Sequence, residues 1–322
     1  MTTIASRILL YHKVSNDPID SQLLAVSPKN FRDQLVWLKE NYEVIDLSHL
    51  IDKIKKTSLH GNEIAITFDD GYRDNWTQML PIISEIGIPV TVFIATDFIN
   101  SSHEFWWDQV EQIVVSTQKK SLTLCIEDCE FVMELSSANR RISAIDSICS
   151  KLKNHKQFSI RKAIKDLAHK LECSIGTRAT HEIMAESDLK LMSESKWVTL
   201  GSHTCSHTRM PLLSEQEQRD ELAFSKQRLE QLLKQDISFI SYPYGNSIDF
   251  SPIVEKLVIE CGYIAGIANI QKDLSKETSI TAIPRRLVRN WNREDFITWM
   301  YNPMGSEMER NALRHRANRL EQ

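Results

Sequence analysis

Cysteine is sparse in this 322-residue sequence, with six residues at 125, 129, 149, 173, 205 and 261. A disulfide-stapled fold needs a far denser set, so cross-links do not organise this chain. Long apolar runs are missing as well. No stretch approaches the roughly 20 residues that span a bilayer. The opening MTTIASRILLYHKV holds an apolar run too short for a signal peptide, with no small-residue cleavage site after it. That reading predicts a cytoplasmic protein. Excess positive charge is lacking too: 39 Lys and Arg against 43 Asp and Glu leave a formal charge of −4. Such a balance supplies no basic field for nucleic acid. There is no internal repeat and no low-complexity tract. What remains is 42% apolar and 25% charged, ordinary for a soluble globular chain of one large domain or two smaller ones.

Strand-like runs recur along the chain: RILLYHKV (7–14), YEVIDL (42–47), EIAITF (63–68), VTVFIAT (90–96), WVTLGSH (197–203), ISFISYP (237–243), YIAGIAN (263–269) and ITAIPRRLV (280–288). Helical patterns alternate with them. One begins with Ser27 as N-cap and Pro28 behind it. Another begins with the capping box Ser214 and Glu217. Strands alternating with helices imply a parallel sheet, and seven or eight such units imply an α/β barrel. The predicted fold is a distorted (β/α)7-type barrel made by the whole chain, 1–322. The rhythm breaks at about 104–190, read as a mainly helical insertion on the barrel. Its start, HEFWWDQVEQ, offers Trp106 and Trp107 as core anchors or as a sugar-stacking wall. Within it, LTLCIEDCEFVMEL alternates like a hairpin turning at Glu127 and Asp128, across which Cys125 and Cys129 could face each other; reduced, half-buried thiols are the preferred expectation. The polar tail at about 303–322 carries Arg310, Arg314, Arg316 and Arg319. A solvated terminal helix is the plain reading of it, and contact with an anionic membrane surface the sharper one.

Three short segments concentrate chemistry at strand ends. In ITFDDGYRD, Asp69 and Asp70 stand side by side where an apolar strand stops, and Gly71 permits a sharp turn. Adjacent buried carboxylates repel each other, so a turn is the bland reading and a site the alternative. In GSHTCSH, His203 and His207 are four apart, and on a helical turn both imidazoles would reach one metal ion. Two nitrogens and one carboxylate oxygen, with a position left for water, make up a catalytic zinc site. In ISYPYGN a third strand ends at the same rim in a turn able to aim a backbone N–H at developing negative charge.

Taken in order, TFDDG, HTCSH and SYPYG resemble the three motifs of the polysaccharide deacetylases of the NodB-homology type, carbohydrate esterase family four. The likeness covers roughly residues 5–103 and 190–290. It implies Asp70, His203 and His207 as metal ligands, with Zn2+ as the expected ion and Co2+ or Ni2+ as substitutes. It also implies Asp69 as the base that takes the proton of the attacking water, and the Tyr244 N–H as part of an oxyanion hole. Family members usually draw an acid histidine from a C-terminal Leu-x-His strand, but here the only histidine beyond 207 is His315, in the tail. His12, late in the first strand, is assigned that role instead, as in the circularly permuted branch of the family. A buried core histidine is the bland alternative. Ser241 stands where the family usually has an arginine that orients the base. Arg285 or Arg286 can replace it. Strand neighbours face opposite ways, so only one of them points inward, and Arg285 is the choice. Cys205, Asp74 and Asp97 are set aside as non-ligands.

The resemblance implies a metal-dependent hydrolase that removes an N-acetyl group from an amino sugar. With the cytoplasmic reading, the substrate is an intracellular oligosaccharide or a nucleotide- or lipid-linked sugar. The alternative is a metal amidohydrolase acting on a non-sugar C–N bond of the cyclic amide type. A glycosidase needs its two carboxylates roughly 5–9.5 Å apart across the bond, which adjacent residues do not suit. A non-catalytic sugar-binding barrel would leave the base, ligands and acid unexplained.

Overall fold

The computed structural model describes residues 5–126 and 129–302. Seven parallel strands form the frame: β1 Arg7–Tyr11, β2 Glu63–Phe68, β3 Val90–Ile94, β4 Val198–Ser202, β5 Phe239–Ser241, β6 Ala265–Ile267 and β7 Arg286–Leu287. Their order is β6-β5-β4-β3-β2-β1-β7, with β1 inserted between β2 and the last strand. The sheet curls until Ile267, the last residue of β6, bridges Ile283, just ahead of β7. The expected seven-stranded α/β barrel is therefore what the chain forms, closed at that seam by one bridge instead of a full ladder.

RILLY, EIAITF and VTVFI are buried along their whole length, as strands covered on both faces must be. On the outside, Leu9, Ile66 and Val92 pack against Phe31, Leu35 and Leu38 of helix α1, Pro28–Asn41. Each such side chain removed from water contributes about 1.5–3 kcal/mol. Inside, Phe93, Phe239 and Ile283 help fill the barrel. A side chain taken from β1, β2 or β7 just past this plug therefore emerges at one rim. That shared direction positions the site.

Between β3 and β4 the chain forms helices α2 (Trp106–Ser116), α3 (Ala138–Leu152) and α4 (Gln157–Lys170) with the hairpin Ser121–Ile126 and Cys129–Glu134. They share an apolar cluster that includes Val110, Ile145 and Ile164. Tyr72 and Ala95, from two rim loops, join the same cluster and seat the insertion beside the strand ends. Helix α5, Glu215–Leu233, packs beside β4 and is opened by the expected capping box of Ser214 and Glu217.

Two expectations need correction. YEVIDL is strand only at Glu43–Val44, because Asp46 accepts the His49 N–H at 2.9 Å and starts a helix at Leu47. Local capping there outweighs the alternating pattern. In the hairpin, Cys125 pairs with Glu130 and Ile126 with Cys129, so the two cysteines are not cross-strand partners. The basic tail and His315 lie outside the described residues. Among the described residues, no helix is long and apolar enough to cross a membrane.

Candidate active site

Asp69 emerges directly after β2 and is nearly fully buried. Arg285 emerges just before β7 with no exposed surface. Their groups meet as a fork: Nη1 donates to Oδ1 at 2.8 Å and Nη2 to Oδ2 at 2.7 Å. The Ser241 hydroxyl donates to Oδ2 at 3.0 Å and accepts from Arg285 Nη2 at 2.8 Å. Thr67 Oγ1 and the Ala268 carbonyl take the remaining guanidinium protons at 3.1 Å each. A bidentate pair with every donor used is the geometry in which a buried ion pair holds. Burial raises the Asp69 carboxyl, but the Arg285 guanidinium together with His203 and His12 brings the group below the usual carboxylate range. Arg286 faces away, to Asp273 at 2.6 Å. Ser241 leaves room for an arginine that arrives from another strand.

Asp70 points to the other side of the same rim. Its Oδ1 lies 3.4 Å from His203 Nε2 and 3.4 Å from His207 Nε2. All three donor atoms fall within 4.8 Å of one another, and all three residues are buried. Two bonds of about 2.05 Å at the tetrahedral angle separate their donor atoms by about 3.3 Å, so the set fits a Zn2+-sized ion. His203 Nδ1 donates to the Ser241 carbonyl at 2.7 Å, which turns the Nε2 lone pair toward Asp70. His207 is held by rings, with Trp107 and Tyr244 both 4.9 Å away, centroid to centroid. Burial raises Asp70, but hydrogen bonds from the two histidines prevail and lower it. Burial lowers both imidazoles; Asp69 and Asp70 carry His203 above its ordinary value, while His207 stays below.

His203 and His207 reach one donor set without the helical turn that their spacing suggests. Residues 203–207 form a loop, not a helical turn, with Thr204 at φ +64° and His207 at φ +55°. Asp70 (+77°) and Tyr244 (+61°) are also left-handed. Each non-glycine residue held there costs of order 1–3 kcal/mol, and such strain gathers at functional sites. Hydrogen bonds must therefore hold this rim. Gly71 takes φ +83°, as the turn after Asp70 requires. Gly245 takes φ +71°, and a Cβ there would lie 2.7 Å from the Asn269 nitrogen. The Tyr244 N–H beside it has no acceptor among the described residues.

His12 follows the last residue of β1 and lines the same cavity of about 230 Å³ as Asp69, Asp70, His203, His207 and Tyr244. Burial lowers its pKa, with Asp70 and Asp69 opposing. Two side chains clamp the backbone around it. Asn75 Nδ2 donates to the His12 carbonyl at 2.9 Å, and Asp74 Oδ1 accepts the Val14 N–H at 3.1 Å. Burial pushes Asp74 up to about 7, with Lys13 opposing. Asp74, set aside on sequence, is thus part of the frame; its partner is a backbone atom 60 residues away, which no local pattern reveals. Trp107 is buried and also faces the site, its indole N–H donating to the Tyr72 hydroxyl at 3.0 Å, which donates to Asp108 at 2.7 Å.

The model of the family described as polysaccharide deacetylase matches residues 56–265, more than half of the chain. YxkH of Bacillus subtilis (strain 168), which carries the name polysaccharide deacetylase, is 22% identical over 282 residues, 86% of this chain and 69% of its own. The poly-beta-1,6-N-acetyl-D-glucosamine N-deacetylase of Escherichia coli (strain K12) is 27% identical over 81 residues, 24% of this chain and 12% of its own. Among solved structures, Streptococcus pyogenes deacetylase PplD superposes with a TM-score of 0.59 at 15% identity, covering 93% of this chain and 99% of that one. IcaB from Ammonifex degensii gives 0.59 at 14%, covering 92% and 97%. Those two likenesses concern the fold. With the family match and this rim, the chain belongs to the polysaccharide deacetylases, hydrolases that act on the N-acetyl groups of carbohydrates.

Proposed function

We propose that this protein is a metal-dependent N-deacetylase of an intracellular N-acetylated sugar. One observation carries the reading: a carboxylate held ionised by a buried arginine stands beside a buried N2O donor set, in one cavity. Asp70, His203 and His207 would hold the cation, with Zn2+ the first choice for that donor set and Co2+ or Ni2+ able to replace it. When bound, such an ion supplies Lewis acidity and makes hydroxide available near neutral pH. Asp69 takes the proton of the attacking water, and Arg285 keeps that carboxylate charged and aimed. The Tyr244 N–H donates to the oxygen that becomes negative as the acetamide carbonyl is attacked. His12 gives a proton to the sugar nitrogen as the C–N bond breaks, so acetate and a free amine leave. In this reading β1 occupies the place of the family's C-terminal acid strand, as in the permuted branch.

Lys153 and Arg289 line the cavity, and among the described residues no acidic side chain other than Asp69 and Asp70 lines it. That balance favours an N-acetyl sugar on an acidic carrier, such as a nucleotide or a lipid-linked phosphate. The test is acetate release from neutral, nucleotide-linked and phosphorylated N-acetyl sugars, with and without chelator. Zinc-loaded protein that releases acetate from none of them would shift the assignment to an amidohydrolase of another C–N bond.

The acid role has its own test. His12→Gln is expected to slow N-acetyl sugar hydrolysis by about 10²-fold or more, a general acid's usual contribution. A nitrophenyl acetate, whose leaving group needs no proton, should be cleaved within about threefold of the wild-type rate. Equal loss on both substrates would remove His12 from that role.

A further inference from the structure

The loop that carries both histidines is braced from behind by one carboxylate. Glu221, in the second turn of α5, accepts the Cys205 N–H at 2.8 Å and the Ser206 N–H at 2.9 Å on a single oxygen, Oε2. Its other oxygen accepts the Ser206 hydroxyl at 2.6 Å. Two successive backbone N–H groups converging on an anion form a nest. This nest is flanked by the left-handed residues Thr204 and His207. The Cys205 thiol turns to the Glu221 carbonyl at 3.6 Å, away from the donor set. Glu221 has no ion-pair partner among the described residues; loop N–H and O–H groups satisfy its charge.

Carbonyls of the same loop are fixed from other directions. Thr204 O accepts the Thr96 N–H and Cys205 O the Asp97 N–H, both at 3.0 Å, while Ser206 O accepts Gln157 Nε2 at 2.8 Å. Glu221 supplies the complementary half, the acceptors for the N–H groups. Without it, two N–H groups lose charged partners in a loop that already holds two strained residues. Such a loop relaxes, and the first thing to relax is the shared aim of His203 and His207 at Asp70.

We propose that Glu221 is a positioning residue of the metal site, setting its affinity through the 203–207 loop without touching the ligands. The inference rests on the metal-site reading above. Outer partners of this kind are typically worth 10–100-fold in metal affinity.

The experiment is zinc affinity by chelator competition on wild type, Glu221→Ala, Glu221→Gln and, as a control on the same helix, Asp220→Ala. Glu221→Ala should weaken zinc binding by about 10–100-fold. Glu221→Gln keeps one acceptor oxygen and should fall between, and Asp220→Ala should match wild type. At saturating zinc, kcat of Glu221→Ala should return to within about threefold of wild type, which a collapsed loop would not allow. A zinc affinity within threefold of wild type in Glu221→Ala, whatever its melting temperature, overturns the inference. If that variant does not fold, Glu221→Gln decides by the same threshold. Wild-type protein that binds no zinc would overturn the metal-site reading and this inference together; wild-type binding with unaltered variants would overturn this one alone.

Discussion

Asp69→Asn is expected to lower acetate release by about 10²–10⁴-fold, the range a general base contributes, with zinc content unchanged. The amide keeps the size of the carboxylate and one acceptor oxygen, but it cannot take a proton from water. Zinc should stay because Asp69 lies outside the donor set formed by Asp70, His203 and His207. The substitution also removes the anion opposite a fully buried guanidinium. Ser241, Thr67 and Ala268 continue to bond Arg285, so the fold should survive with reduced stability. Acetate release read beside metal content separates this outcome from a loss of structure. An Asn variant as active as wild type would exclude Asp69 as the base.

Arg285→Met should be the most damaging change to stability near the site. Breaking a buried ion pair by removing one partner typically costs about 3–5 kcal/mol, because the other charge stays buried. The sign of the pH effect follows from Asp69. Its carboxyl is held below the ordinary range in the folded protein, with burial opposing and the guanidinium, joined by His203 and His12, lowering it. That contribution to stability is complete above the unfolded carboxylate pKa and is lost as pH falls through the depressed folded value. Without Arg285, burial acts with less opposition and the Asp69 pKa rises. The acid limb of the kcat/KM profile should therefore move to higher pH, and the stability loss should be largest near neutrality. Urea unfolding at several pH values, together with the pH–rate profile, checks both. An unmoved acid limb and a loss under 1 kcal/mol would mean that Arg285 does not govern this carboxylate.

The parts of the site legible in the sequence are those whose chemistry demands a residue type at a strand end. Asp69, Asp70, His203, His207 and Tyr244 stand in short motifs, and the parallel barrel brings them to one rim. Strand alternation required that one of Arg285 and Arg286 face inward. The choice between them depends on how β7 meets β1, where Leu9 pairs with Arg286. Local spacing misled at 203–207, because positive φ at Thr204 and His207 achieves in a loop what a helix would achieve by periodicity. Glu221, Asp74 and Asn75 were invisible for a different reason. Each acts on backbone atoms of a distant segment, and a backbone atom leaves no residue-type signature. The strand expected at YEVIDL yielded to a capping aspartate, a contest between two local signals that tertiary packing decides.

Anomalous diffraction at the zinc edge, from crystals grown with zinc, tests the central claim most directly. One strong peak is expected within bonding distance of Asp70 Oδ1, His203 Nε2 and His207 Nε2, with Asp69 beside it and unligated. No peak there, or a peak bound by Asp69 in place of Asp70, would contradict it.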